Sequence, residues 1–256
     1  MTLSLPPLAD RRMVLATDLD GTFLGGTDDD RDQLYDWLRA SRDTVGLVFV
    51  TGRDPQFIAE LCGDGRVPWP EYVIGDVGTT IAEVRDSAIH PIEPLEKEIS
   101  QAWGDLGHRV RDTLKDRSGL SLQQTEFRYR LSYDMDPDAL DPQAKHEVEA
   151  MGADVLISDN RFFDVLPRGV SKGPSLIRLI AHLGLSPNSV LAAGDTLNDL
   201  SMLVAGTPAV AVGGSEEPLL DQLPQRPTIY RAEAIGAAGI VEAISAFDLH
   251  PDHLDA

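Results

Sequence analysis

Short apolar runs alternate with amphipathic segments along most of this chain. Residues 13–17 (MVLAT) and 45–50 (VGLVFV) are apolar runs closed by polar or glycine residues. A strand covered on both faces shows no polar alternation, so such runs predict buried strands. Residues 72–74, 189–193 (SVLAA) and 209–212 (AVAV) repeat the pattern. Between them apolar residues recur at helical spacing: Leu34, Trp37 and Leu38 in 32–40, then Leu176, Ile177, Leu179 and Ile180 in 175–183. A helix over 55–61 has Pro55 in its first turn, and residues 234–247 predict a closing helix. Strand and helix in alternation predict an α/β fold with a parallel sheet covered on both faces.

The middle of the chain has another rhythm. Residues 95–114 carry the stripe of one long amphipathic helix. Residues 126–133 alternate, with Phe127, Tyr129, Leu131 and Tyr133 on one face of a predicted strand. A second helix is predicted at 142–151, and paired strands at 155–158 and 162–166 around Asp159-Asn160-Arg161. Helices beside antiparallel strands predict an inserted α+β unit at 83–163, between core segments 1–82 and 164–256. The aromatic residues of the insert are expected to pack within it.

Charge narrows the set of partners. The net charge is −20, from 42 acidic against 22 basic residues. Such a surface repels nucleic acid and anionic membranes. It also repels phosphate at long range, so a phosphate site here needs a local reversal of sign from a cation or helix N-termini. Cys62 is the only cysteine among 256 residues, which excludes an intrachain disulfide and a cysteine-rich metal site. Residues 1–7 lack the basic start and apolar run of a signal peptide. No apolar run approaches the ~20 residues of a membrane span. A cytoplasmic protein is expected, with no nucleic acid or membrane partner, as a monomer or small homo-oligomer. His90, His108, His146, His182, His250 and His253 share no metal-site context.

Four pieces carry candidate chemistry. Asp18-Leu19-Asp20-Gly21-Thr22 directly follows the first buried run. Residues two apart on a strand share a face, so both carboxylates are expected in one crevice; a solvated acidic turn is the plain alternative. Gly194-Asp195-Thr196-Leu197-Asn198-Asp199 follows another buried run. Its oxygen ligands suit magnesium, although Asp also caps helices without any ligand. Thr51-Gly52-Arg53 ends the second run and offers a hydroxyl and free N–H groups for phosphate oxygens. Lys172, in Arg168-Gly169-Val170-Ser171-Lys172-Gly173, precedes a helix and is a candidate counter-charge, though surface lysines are common.

Together, in this order, the four pieces closely resemble the haloacid dehalogenase superfamily of phosphatases. The long stretch between Arg53 and Lys172 is similar to the larger, C2-type cap of that superfamily. The resemblance implies a Rossmann-like, doubly wound parallel-sheet core with an inserted α+β cap domain. Val77-Gly78-Thr79-Thr80-Ile81, Arg130-Leu131-Ser132-Tyr133 with Asp136-Pro137, and Asp164-Val165-Leu166-Pro167-Arg168 are similar to the sucrose-phosphate phosphatase branch. Gly21 departs from it, since that branch often has Asn there. The resemblance implies Asp18 as nucleophile and Asp20 as acid and base. It implies magnesium (Mg2+) on Asp18, the Asp20 carbonyl, Asp195 and Asp199. Thr51, Gly52 and Lys172 would hold phosphate, and Asn198 would orient it or Lys172. A phosphorylated sugar, with sucrose 6-phosphate favoured, is the implied substrate. The alternatives are mannosylfructose phosphate, broad-specificity turnover of hexose or cofactor phosphates, and a non-catalytic phosphate-binding scaffold. Arg130 lies off the insert's apolar face and is a candidate sugar contact.

Overall fold

The computed structural model describes residues 5–125, 127–158 and 160–251. Glu126, Asp159 and His253, which belong to expectations above, lie outside the described residues. Eight strands form the larger sheet: β1 (Met13–Thr17), β2 (Val45–Val50), β3 (Tyr72–Gly75), β4 (Thr80–Arg85), β5 (Ala88–Pro91), β10 (Val190–Gly194), β11 (Ala209–Gly213) and β12 (Ile229–Ile235). Their order is β12-β11-β10-β1-β2-β3-β4-β5. The first six strands in that order run parallel, and β4 and β5 add an antiparallel hairpin at one edge. β1, β2 and β10 are buried throughout because helices cover both faces. Apolar clusters fill both sides. One joins Leu15 and Phe49 to Leu34 and Ile240; the other joins Ala16 and Val50 to Leu176 and Leu179.

A smaller antiparallel sheet holds β6 (Leu120–Leu122), β7 (Leu131–Met135), β8 (Ala153–Ser158) and β9 (Phe162–Pro167), in the order β6-β7-β9-β8. With its helices it forms the expected α+β cap over its own apolar cluster of Val110, Leu131, Tyr133, Val148 and Phe163. The expected boundary at 83 falls inside β4 of the larger sheet, and that at 163 inside β9 of the smaller one. Among the described residues no helix is long and apolar enough to cross a membrane.

Three expectations need correction. The predicted helix over 95–114 is two helices, Glu93–Trp103 and Leu106–Leu114, broken where Gly104 takes φ 47°. The break separates two duties: Leu95 and Ile99 pack on the larger sheet, while Trp103, Leu106, Val110 and Leu114 pack in the cap. The strand predicted over 126–133 begins only at Leu131. Phe127 is therefore outside the strand, with Arg130 Cζ 3.6 Å above its ring, and the Tyr129 hydroxyl donates to Glu96 at 3.2 Å. The closing helix is Ala237–Ala246, preceded by the unpredicted strand β12.

Candidate active site

Strand register assembles the site. β1 lies between β10 and β2, with Thr17 opposite Ala193 on one side and Phe49 on the other. The three strands therefore end within a residue of one another at the carboxyl edge of the sheet, the usual ligand position in open α/β sheets. The Asp18 N–H donates to the Ala193 carbonyl at 2.9 Å, which brings the first carboxylate beside the loop that follows Gly194.

Asp18 is buried, and Lys172, with no exposed surface, opens the helix Lys172–Leu183 beneath it. Lys172 Nζ donates to Asp18 Oδ1 at 2.8 Å and to Asp199 Oδ1 at 2.6 Å. Burial works against the lysine's charge, but the two carboxylates outweigh it and hold the ammonium charged beyond its ordinary range. Asp18 is raised to about 7, first by burial, partly offset by Lys172, and further by the like charges of Asp199 and Asp195. Asp195 is also raised to about 7, by burial and Asp199, against the hydrogen bond from Thr22 Oγ1 at 2.5 Å. Asp199 Oδ2 accepts from the N–H groups of Asp195 and Thr196, each at 3.0 Å, so this carboxylate also ties its own loop together.

One oxygen from each of Asp18, Asp195 and Asp199 lies within 4.8 Å of the others. Three carboxylates around one ammonium leave negative charge in excess, and their hard oxygens suit a hard dication. Gly21, at φ 78°, keeps this space open, since a Cβ there would stand 2.2 Å from Asp195 Oδ2.

Asp20 reaches the site by a different route from the one expected. The strand ends at Thr17, and residues 19–23 coil tightly, so two-residue alternation does not apply. Asp18 turns inward, whereas Asp20 is exposed and both its oxygens accept from Arg53, from Nε at 2.8 Å and Nη2 at 3.0 Å. Thr51 is buried at the end of β2, where its Oγ1 accepts from the Arg53 N–H at 3.2 Å. The chain beyond β3 is drawn against it: the Val77 N–H donates to the Thr51 carbonyl at 3.1 Å and the Asp76 N–H to the Arg53 carbonyl at 3.0 Å. These bonds hold Asp76 and Val77 at φ 53° and 58°, a conformation that a β-branched residue such as Val77 rarely adopts.

A cavity of about 490 Å³ opens between the sheets, lined in part by Asp20, Gly52, Asn198 and Arg130. Arg130 is buried there; its Nη2 donates to the Gly52 carbonyl at 3.3 Å and its Nε has no partner. Burial pulls the guanidinium down, while Asp164, Asp76 and Asp54 oppose that shift. Asn198 Oδ1 is likewise buried without a partner. Ser132 and Asp164, opposite each other on β7 and β9, hydrogen-bond at the cavity wall. Sequence reasoning did not single out either one, although Ser132 shares the strand parity of Arg130. It also passed over Thr22 and the side chain of Arg53, both already inside quoted motifs. Among the histidines, His90, His108, His146 and His182 are exposed, and His250 is buried edge-on to Trp37.

Residues 11–248 match the family described as sucrose-6F-phosphate phosphohydrolase. The chain belongs to that family. A glucosylglycerol-phosphate synthase of Pseudomonas anguilliseptica is 41% identical over 237 residues, covering 92% of this chain but only 31% of that protein. The mannosylfructose-phosphate phosphatase of Agrobacterium fabrum is 28% identical over 249 residues, covering 93% of this chain and 98% of its own. The X-ray structure of the sucrose-phosphatase from Synechocystis, in complex with sucrose and phosphate, has a TM-score of 0.84 at 26% identity; the match covers 93% of this chain and 98% of that one. A haloacid dehalogenase-like hydrolase of Bacillus subtilis shares the fold at TM-score 0.69 and 16% identity. The family is a branch of the haloacid dehalogenase phosphatases, and the expected core and antiparallel cap are those of its members.

Proposed function

We propose that this chain hydrolyses the phosphate ester of a phosphorylated sugar, sucrose 6-phosphate first among candidates, through an aspartyl phosphate on Asp18. The observation that carries this reading is the buried Asp18–Lys172–Asp199 cluster at the carboxyl edge of the sheet, beside a cavity capped by the smaller sheet. An Asp18 carboxylate oxygen bonds to phosphorus in line as the ester P–O bond breaks. Asp20 gives its proton to the leaving alkoxide and becomes a carboxylate. It then takes a proton from water, whose oxygen bonds to phosphorus while the Asp18–phosphorus bond breaks. Thr51, the Gly52 N–H and Lys172 hold the non-bridging oxygens, and Asn198 orients them. Asp18, Asp195 and Asp199, with the Asp20 carbonyl, would hold magnesium, which supplies positive charge against the phosphoryl oxygens.

A second substrate is favoured by one observation, the 41% identity with the glucosylglycerol-phosphate synthase. On that reading glucosylglycerol phosphate enters the same site. Initial rates on sucrose 6-phosphate, mannosylfructose phosphate, glucosylglycerol phosphate and glucose 6-phosphate separate the cases. One glycoside phosphate is expected to exceed glucose 6-phosphate in kcat/KM by about 10-fold or more, the scale of one or two well-made polar contacts. Chelation is expected to remove turnover, and magnesium to restore it, with the circular dichroism unchanged. Equal rates across the panel indicate broad specificity, and turnover that survives chelation removes the metal.

Arg130 tests the sugar side. Arg130 lines the cavity wall and its buried Nε has no partner, and a guanidinium in that place can fork onto paired hydroxyls. Arg130→Ala is expected to lower kcat/KM on the glycoside phosphate by roughly 10-fold or more, as for one lost charged hydrogen bond. A small nitrophenyl ester is expected to change little. Equal losses on both would assign Arg130 to the phosphate or to the fold.

A further inference from the structure

We infer that Arg53 is a positioning residue that aims the Asp20 carboxyl group at the reacting ester. The inference rests on the reading of Asp20 as the proton donor. Asp20 needs such a partner. It sits three residues beyond the end of β1, is followed by Gly21 at φ 78°, and its side chain is 55% exposed. A carboxylate in that position has many rotamers and solvent on most sides. Arg53 supplies a planar fork, with Nε 2.8 Å from one oxygen and Nη2 3.0 Å from the other. Two parallel bonds fix the plane of the carboxylate as well as its place, which a single ammonium cannot do; when Asp20 carries its proton, one oxygen keeps its bond from Arg53 and the other turns its O–H to the ester.

Arg53 is itself held on three sides. Its N–H donates to Thr51 Oγ1 at 3.2 Å, and its carbonyl accepts from the Asp76 N–H at 3.0 Å. Its Cζ lies 4.4 Å over the ring of Phe57, on the helix Pro55–Gly63. The pair therefore links Asp20 to the same loop that carries Thr51 and Gly52. Stability alone gives only a modest reason for it, because solvent screens an ion pair whose partners are both about half exposed, even one with two parallel bonds. Its place on the cavity wall gives a better one.

The test is a double-mutant cycle read on two esters, a sugar phosphate with a poor leaving group and nitrophenyl phosphate with a good one. Asp20→Asn is expected to slow the sugar phosphate by ~10²–10⁴-fold and the nitrophenyl ester far less, since protonation matters most for a basic alkoxide. Arg53→Ala is expected to show the same selectivity at smaller size, roughly 10-fold in kcat on the sugar phosphate and within about threefold on the nitrophenyl ester. In the Asp20→Asn background, Arg53→Ala is expected to cost nothing further, because a residue that acts through Asp20 has nothing left to act on. Arg53→Lys keeps the charge and loses the fork; it is expected to behave like Arg53→Ala and serves in its place if that variant does not fold. Equal losses on both esters, or losses that multiply with those of Asp20→Asn, would overturn the inference and make Arg53 a direct phosphate ligand. Full activity in Arg53→Ala, or full rescue by Arg53→Lys, would overturn it too. If Asp20→Asn slows both esters alike, the assignment of Asp20 as proton donor fails first, and the inference falls with it.

Discussion

Asp18→Asn is expected to abolish turnover while leaving the folded state at least as stable as before. An amide oxygen is a far weaker nucleophile than a carboxylate, and removal of a covalent nucleophile costs on the order of 10⁴-fold or more in kcat. The fold has no reason to suffer. Asp18 is buried beside two other carboxylates, and burial is the main cause of its raised pKa. A neutral amide of the same shape is easier to bury than a charge, and its oxygen still accepts from Lys172. The lysine keeps its second partner, Asp199, at 2.6 Å. Phosphate release and urea unfolding on the purified variant read the two halves of this expectation. A variant that retains several per cent of the wild-type rate would remove Asp18 from the role of nucleophile.

Lys172→Met is expected to fail in the opposite way, losing stability as well as turnover. Methionine fills much of the same volume, yet it leaves Asp18 and Asp199 buried without their shared counter-charge. Breaking a buried pair on one side typically costs ~3–5 kcal/mol, because the remaining charge stays desolvated. The cost is expected near the lower end, since Asp18, already raised to about 7, takes up a proton more readily once the ammonium is gone. Urea midpoints of Asp18→Asn and Lys172→Met should therefore move apart, although neither enzyme turns over. A Lys172→Met variant as stable as wild type would show that the carboxylates take up protons freely and that the ammonium is no structural keystone.

The buried strands of the core were legible because their burial is complete. Residues 13–17 and 45–50 were predicted at the observed ends of β1 and β2, since strands covered on both faces read as apolar runs. β12 was not legible. It is an edge strand in which Arg231 and Glu233 interrupt the apolar residues, and half-covered strands lose that signature. The Gly104 break was hidden for another reason. Leu95, Ile99, Trp103, Leu106, Val110 and Leu114 keep one unbroken helical spacing across it, so periodicity alone reports a single helix. The β4–β5 turn passes Asp86 and Ser87 at φ 52° and 57°, without the Asn-Gly or Asp-Gly pair that announces such turns. The motifs brought Asp18, Lys172, Asp195 and Asp199 into view, and the structure brings them into one cluster. Their partners depend on side-chain direction. No spacing in the sequence says that Arg53 turns to Asp20 or that Ser132 meets Asp164.

The return from the smaller sheet to the larger one is short. β9 ends at Pro167 and the next helix begins at Lys172, so residues 168–171, with Gly169 at φ 70°, are the whole connection. A swing of the smaller sheet away from the cavity would pull through this leash on the residue whose ammonium neutralises Asp18. Opening the chamber and loosening the Lys172–Asp18 pair would then be one mechanical event.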